Sequence, residues 1–363
     1  MRIAPRRAHI PYWLIVASVA AALLAVLPIF GAIIDGGAGP TAAGRAFASA
    51  PHGLYAVVAQ TEGSEDRVMA IQADGEGDAR DVIRIPHLDG FTSSGAVSPD
   101  GSRLALITAD QGTVARPLAS LLIIDLRTST SRSVSTGVDH LQTPIWSPDG
   151  SSVIVTRTTG DGPLVDVAII GVAVDGGETL IGEARGVLGA YPAGVDATGA
   201  AIWVVIDSRG STLVRDGADV RSLAPGVTRD WRLNPGGTTI AFIETDTSHG
   251  LRYIQRVAPL ASGGPREQVS APSGQALGVA WRPGANDPTF GIEPGAGVTG
   301  GGRGQRADGF DVPLGYSPDG RLLAVQAWSG TSFKEAGSMR LTIIGPSGRA
   351  GIPASRFYGW AAR

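Results

Sequence analysis

The tetrapeptide Ser-Pro-Asp-Gly occurs three times, at residues 98–101, 147–150 and 317–320, each time after a short apolar stretch and before a β-branched or leucine-rich run. Proline presets φ, the short aspartate side chain bonds its own backbone, and glycine accepts positive φ, so the unit encodes a tight turn between two strands. Degenerate copies fill the gaps at Asp196-Ala-Thr-Gly199, Asn234-Pro-Gly-Gly237 and Arg282-Pro-Gly-Ala285. The residue before each copy is apolar: Val97, Trp146, Val195, Leu233, Trp281 and Tyr316. Six copies of one unit are visible, and any fold for this chain must place one turn in each.

Successive turns start 35 to 49 residues apart, the period of a four-stranded propeller blade. A strand-like run follows most turns (104–108, 153–158, 201–207, 239–244, 322–326), and a second often follows it (121–126, 165–174, 252–257, 341–344). These runs are short, β-branched and bounded by Gly, Pro, Ser and Asp, which favours strands over helices. The expected fold is therefore an all-β propeller. Residues 54–60, 67–72 and 81–85 read as the second, third and fourth strands of a blade with no first strand, while residues 357–360 read as a first strand with no second. Pairing the two ends would complete that blade and remove both exposed edges. Counted so, there are seven four-stranded blades, with six as the alternative because residues 275–310 carry little strand signal.

The motif in its setting, Ile145-Trp146-Ser147-Pro148-Asp149-Gly150, resembles the WD-like propeller repeat of the TolB family, over residues 53–362. TolB proteins are soluble periplasmic partners with an additional amino-terminal α/β domain, and the resemblance implies an extracytoplasmic propeller. Here only a short linker precedes the propeller, a departure that weakens the expectation of a Tol-type translocation role.

The amino terminus reads as a targeting element. Arg2, Arg6 and Arg7 precede an uncharged run over residues 12–34, long enough at about 1.5 Å per residue to cross a hydrocarbon core of roughly 30 Å. The expected organisation is a cytoplasmic basic tail (1–11), a transmembrane signal anchor (12–34), a flexible Gly- and Ala-rich linker (35–52) and the propeller (53–363), with the propeller outside the cytoplasm by positive-inside bias. The alternative is secretion after signal cleavage at Ala48-Ser49-Ala50. Removing Arg2, Arg6, Arg7 and Asp35 from the formal net charge of −3 leaves −5, a mildly acidic remainder that argues against nucleic acid. The chain has no cysteine, which excludes disulfides, thiolate metal sites, a cysteine nucleophile and cysteine lipidation.

Motifs that carry chemistry are sparse. Gly295-Ala-Gly297-Val-Thr-Gly300 matches GxGxxG but runs on into further glycines and reads as a loop. No GxSxG elbow occurs. His9, His52, His87, His140 and His249 are dispersed, with no metal-binding spacing. Asp100, Asp149 and Asp319 recur with the turns and read as turn residues, and Trp146, Trp281 and Trp360 share one repeat position, as blade-packing residues do. No cofactor or metal is expected. Binding residues are then sought in the loops joining the last strand of one blade to the first of the next, which converge at the channel mouth. The candidate partner-binding rim is His87, Asp139, His140, Arg185, Arg229, Asp230 and Phe357, with Asp89, Phe91, Gln142, Phe310, Asp311 and Arg356 in the same connections. The favoured function is a noncatalytic, membrane-anchored monomeric scaffold that binds an envelope protein or cell-wall ligand. The alternative is a lactonase-like hydrolase with its site at the channel mouth.

Overall fold

The computed structural model describes residues 52–73, 79–248, 250–261, 267–268, 275–293, 297–298 and 309–363. The basic tail and the apolar run lie outside the described residues, and among those described no helix is long and apolar enough to cross a membrane.

Every regular element described is a strand. β1 (Leu54–Glu62), β2 (Glu65–Gln72) and β3 (Arg80–Pro86) open the chain. β4 (Ser94–Val97), β5 (Arg103–Thr113), β6 (Arg116–Asp125) and β7 (Thr130–Val138) form the second blade. β8 (Ile145–Trp146), β9 (Ser152–Thr159), β10 (Val165–Ala173) and β11 (Glu178–Val187) form the third. β12 (Gly189–Val195), β13 (Ala201–Asp207), β14 (Gly210–Arg215) and β15 (Ala218–Ala224) form the fourth. β16 (Thr228–Leu233), β17 (Thr239–Asp246), β18 (Arg252–Pro259) and β19 (Glu267–Gln268) form the fifth. A three-stranded sheet of β20 (Gln275–Trp281), β21 (Pro288–Glu293) and β22 (Gly297–Val298) follows. β23 (Phe310–Tyr316), β24 (Leu323–Trp328), β25 (Met339–Gly345) and β26 (Gly348–Ile352) form the sixth blade. β27 (Arg356–Ala362) then pairs antiparallel with β1, so the first blade runs β27-β1-β2-β3 and joins the two ends of the chain.

Six sheets are thus four-stranded blades, which corrects the count of seven: residues 275–298 give only three strands among the described residues. The reason is local. After Glu293 the sequence runs Pro294-Gly-Ala-Gly-Val-Thr-Gly-Gly-Gly, where proline cannot donate to a ladder and glycine has no side chain to pack. Within the GxGxxG stretch, Gly297 and Val298 pair with Ile292 and Gly291, and the rest lies outside the described residues.

The core sits between sheets, because the strand after each turn buries both its faces. In β1, Tyr55, Val57 and Ala59 pack towards the second blade, while Ala56 and Val58 pack towards the sixth. In β5, Leu104 and Leu106 face the first blade, and Ala105 and Ile107 face the third. A strand with period-two side chains and two apolar neighbours must be apolar throughout, which is how these runs read in sequence. The first strands of consecutive sheets lie against one another, β27 on β4 and so on to β20 on β23, and this row is the inner ring.

The repeated tryptophans fasten that ring. Trp146 Nε1 donates to the Ala96 carbonyl of the preceding blade at 2.7 Å, Trp281 to Arg232 at 3.0 Å, and Trp360 to Gly315 at 3.4 Å, across the closure. Each indole is buried, so its N–H needs this partner.

The turns are built alike. In the first, Gly101 N–H donates to the Ser98 carbonyl, Ser98 Oγ–H to Asp100 at 2.5 Å, and Ser102 N–H to the same carboxylate at 3.1 Å. The turns at Ser147 and Ser317 repeat the pattern. Asp196 and Asn234 hold the degenerate turns through their own side-chain oxygens. Gly101 has φ +72°, and a Cβ there would lie 2.7 Å from the Ala362 nitrogen, so the glycine also lets this turn pack on the closing strand.

Bonds from Ser147 and Ser151 hold the Asp149 carboxyl at about 2, below its ordinary value of 3.8. A depressed carboxylate stabilises the fold fully above its unfolded value and loses that contribution as pH falls through the folded one. The melting temperature of Asp149→Asn is therefore expected below that of the parent at pH 5, with the gap closing between about pH 4 and pH 2. A gap that stays constant on acidification would show that the charge plays no part in the turn.

Candidate functional site: the channel mouth

Inner strands all begin at one end of the ring, the mouth, and run to the turn end. Among the predicted rim residues, the mouth brings some together and buries others. His140 stacks edge-on against Phe91, with centroids 5.2 Å apart; burial pushes its imidazole down, with Asp139 opposing. Asp139 itself serves the loop, accepting from Thr156 Oγ1 at 2.6 Å, Thr158 Oγ1 at 2.7 Å and Thr158 N at 3.0 Å. Gln142 bridges to the Ala190 carbonyl at 3.2 Å. Asp89 is exposed.

Arg229 and Asp230 occupy a bulge near the start of β16, where the register with β17 shifts and Asp230 takes φ +55°. Positive φ on a non-glycine residue is strained, and strain of this kind collects at functional sites. Gly278 N–H donates to Asp230 at 3.3 Å, and the Arg229 guanidinium lies 4.5 Å from the Tyr253 ring centroid.

Phe357 is half-buried, edge-on to Trp360 at 5.3 Å. Arg185 is exposed on β11, an outermost strand, paired with Glu183, and so stands away from the inner strands. Phe310 and Asp311 are fully buried in β23; Phe310 stacks on Trp328, and Asp311 accepts a two-pronged bond from Arg349 at 2.7 and 2.9 Å.

His87 faces inward. Its side chain has no exposure, Nδ1 donates to the Leu88 carbonyl at 2.9 Å, and Nε2 lies 3.5 Å from Asp66 Oδ1. Asp66, fully buried at the start of β2, collects groups from three segments, β1, the connection from β3 to β4, and β27. Thr61 of β1 donates to it at 2.8 Å, Ser93 through N–H at 2.7 Å and through Oγ–H at 2.5 Å, and Arg356 of β27 through its guanidinium. The Tyr358 hydroxyl completes the cluster 2.6 Å from Ser93 Oγ. The cluster is an internal latch between the closing strand and the second blade.

Sequence reasoning missed Tyr191, Trp231, Tyr253 and Glu293. Tyr191 of β12 and Trp231 of β16 stack with centroids 5.2 Å apart, and burial together with Asp139 pushes the Tyr191 phenol up. Glu293, at the end of β21, is buried and accepts from the Phe333 N–H. Burial raises its carboxyl, and that bond, Arg229 and Lys334 oppose the rise. The available signal was an aromatic residue recurring within inner strands: Tyr191, Trp231, Phe310 and Phe357. The mouth thus carries a band of partly exposed aromatic and charged groups, Tyr191, Trp231, Phe357, Arg229 and Asp230, to which the fully buried Phe310 does not belong. Among the described residues, no group of three His, Cys, Asp or Glu could hold a metal ion. A cleft of about 260 Å³ at the turn end is lined by Arg103, Asp125 and Arg132, but Arg103 and Arg132 already bond the Gly150 and Val174 carbonyls.

The chain is similar to TolB from Acinetobacter baumannii, with TM-score 0.53 and 15% identity over 86% of this chain and 67% of that one. An oligogalacturonate lyase in complex with manganese gives TM-score 0.55 and 11% identity over 80% and 90% of the two chains. The β-propeller domain of the trilobed protease from Pyrococcus furiosus gives 0.50 and 10% over 85% and 98%. The chain has their propeller fold. No protein-family model and no curated protein sequence matches it. At such identities the likeness carries the fold alone, since one fold hosts many activities.

Proposed function

We propose that this protein is a noncatalytic, extracytoplasmic propeller that presents its channel mouth to a protein partner while residues 12–34 hold it to the membrane. The observation that carries the reading is the position of the two ends. Gly53 and Arg363 exchange backbone hydrogen bonds at the turn end, and Leu54 lies opposite Ala362. The nine residues of β1 then separate the linker from the mouth by about 30 Å. A chain tethered there turns the aromatic and charged band away from the bilayer. The likeness to TolB is consistent with a propeller outside the cytoplasm.

The test is carbonate extraction followed by affinity capture from detergent-solubilised membranes with the full chain as bait. Retention in the membrane pellet and recovery of a partner that Arg229→Gln plus His140→Ala captures less well are expected. Release of the protein into the soluble fraction would remove the anchor. Equal capture by parent and variant would move the partner surface off the mouth, and turnover of a lactone or glycan by the purified chain would replace the reading with the enzymatic one.

A further inference from the structure

Arg229 is an exception among the buried arginines. Arg67, Arg256 and Arg349 each meet a carboxylate at 2.6 to 2.7 Å. The Arg229 side chain is only 15% exposed, yet among the described residues its guanidinium donates no hydrogen bond, and its shielded Nε has no partner. The nearest anion, Asp230 Oδ2, stands 3.5 Å from Nε, beyond the roughly 2.7–2.9 Å of a charge-assisted bond. Asp230 also accepts from Gly278 N–H at 3.3 Å, and its backbone sits in the bulge at φ +55°. A shielded Nε–H without an acceptor is costly, and the terminal nitrogens of the same fork, which are not shielded, are left for an acceptor brought from outside.

The surroundings define that species. Tyr253 covers one face of the guanidinium, which leaves the edge of the planar fork for a planar acceptor. Lys334 adds a second positive charge near Glu293, and Asp230 and Glu293 bring two acidic groups. That balance suits a monoanion better than a phosphate carrying close to two charges. We infer that the Arg229 fork over Tyr253 is the seat for a carboxylate that the partner protein presents as an acidic side chain. The inference rests on the partner reading above and supplies its chemistry.

The experiment titrates the full chain in detergent with a glutamate-rich hexapeptide, with its glutamine counterpart and with inorganic phosphate, reading the heat of binding. The glutamate peptide alone is expected to bind. Arg229→Lys, which keeps the charge and loses the fork, is expected to weaken it about tenfold or more, with an unchanged melting curve. Equal binding of the glutamine peptide, tighter binding of phosphate, no binding at all, or full affinity in the lysine variant would each overturn the pocket. The two readings separate in capture: a partner retained equally by parent and Arg229→Gln defeats the pocket alone, whereas no partner for the parent defeats the scaffold reading itself.

Discussion

A chain ending at residue 355 is expected not to fold cooperatively and to be recovered as aggregate. Deletion of β27 strips the pairing from six consecutive residues of β1, Leu54 to Ala59, and leaves their backbone as an open edge. It also removes Tyr358 and Ala361 from the layer shared with the second blade and Trp360 from the layer shared with the sixth. Fully burying a large apolar side chain contributes about 1.5–3 kcal/mol, so losing three, one of them an alanine, takes a large part of a typical domain stability of about 5–15 kcal/mol. Asp66 would further lose Arg356 and stay buried without its counter-charge. A permuted chain that carries residues 354–363 ahead of Gly53 tests the cause. Arg363 and Gly53 already exchange backbone bonds, so a short hairpin there restores the sheet with the inner strand now local. Size-exclusion and thermal melting should show the truncation aggregated and the permuted form close to the parent. A truncated protein that melts like the parent would mean that the closure contributes nothing.

That closure could be read before the structure because it is written in local pattern: three strand-like runs lacked a first member, and the last residues supplied one. The turns were readable for the same reason, since Ser98, Asp100 and Gly101 bond within their own segment. The tryptophan position was readable because it repeats. What escaped depends on distance along the chain. Asp66 looks like any acid in a strand, and its partners Ser93 and Arg356 lie 27 and 290 residues away. His87 sits in the connection expected to face the mouth, yet Asp66 and the Leu88 carbonyl draw it inside. Tyr191 and Trp231 meet only because consecutive inner strands stand side by side in the ring. The sheet with three strands was marked in the sequence by its weak strand signal over residues 275–310 but still counted as a blade, because a period counts turns: Arg282-Pro-Gly-Ala285 keeps the turn while the glycine-rich stretch after Glu293 lacks the side chains for a full blade.

Asp66→Asn is expected to be the most damaging single substitution away from the turns. The carboxylate is fully buried and answers Arg356, and removing one partner of such a pair leaves an uncompensated charge at a cost of about 3–5 kcal/mol. For a domain of this size that is a fall in melting temperature of roughly 5–15 °C. Arg356→Met should cost a similar amount for the mirror reason, the lone charge now being Asp66. The two effects should not add: the double variant leaves no buried ion, so it is expected to melt above the sum of the single losses. Tyr358→Phe calibrates the scale, because it deletes the hydroxyl beside Ser93 while keeping the ring, and about 1 kcal/mol is expected. Thermal melting of the four variants at neutral pH decides the matter. Additive losses, or an Asp66→Asn protein no less stable than Tyr358→Phe, would show that the cluster fills space between the first and second blades without an ionic latch. A strong coupling would locate the strength of the ring at the point where its two ends meet.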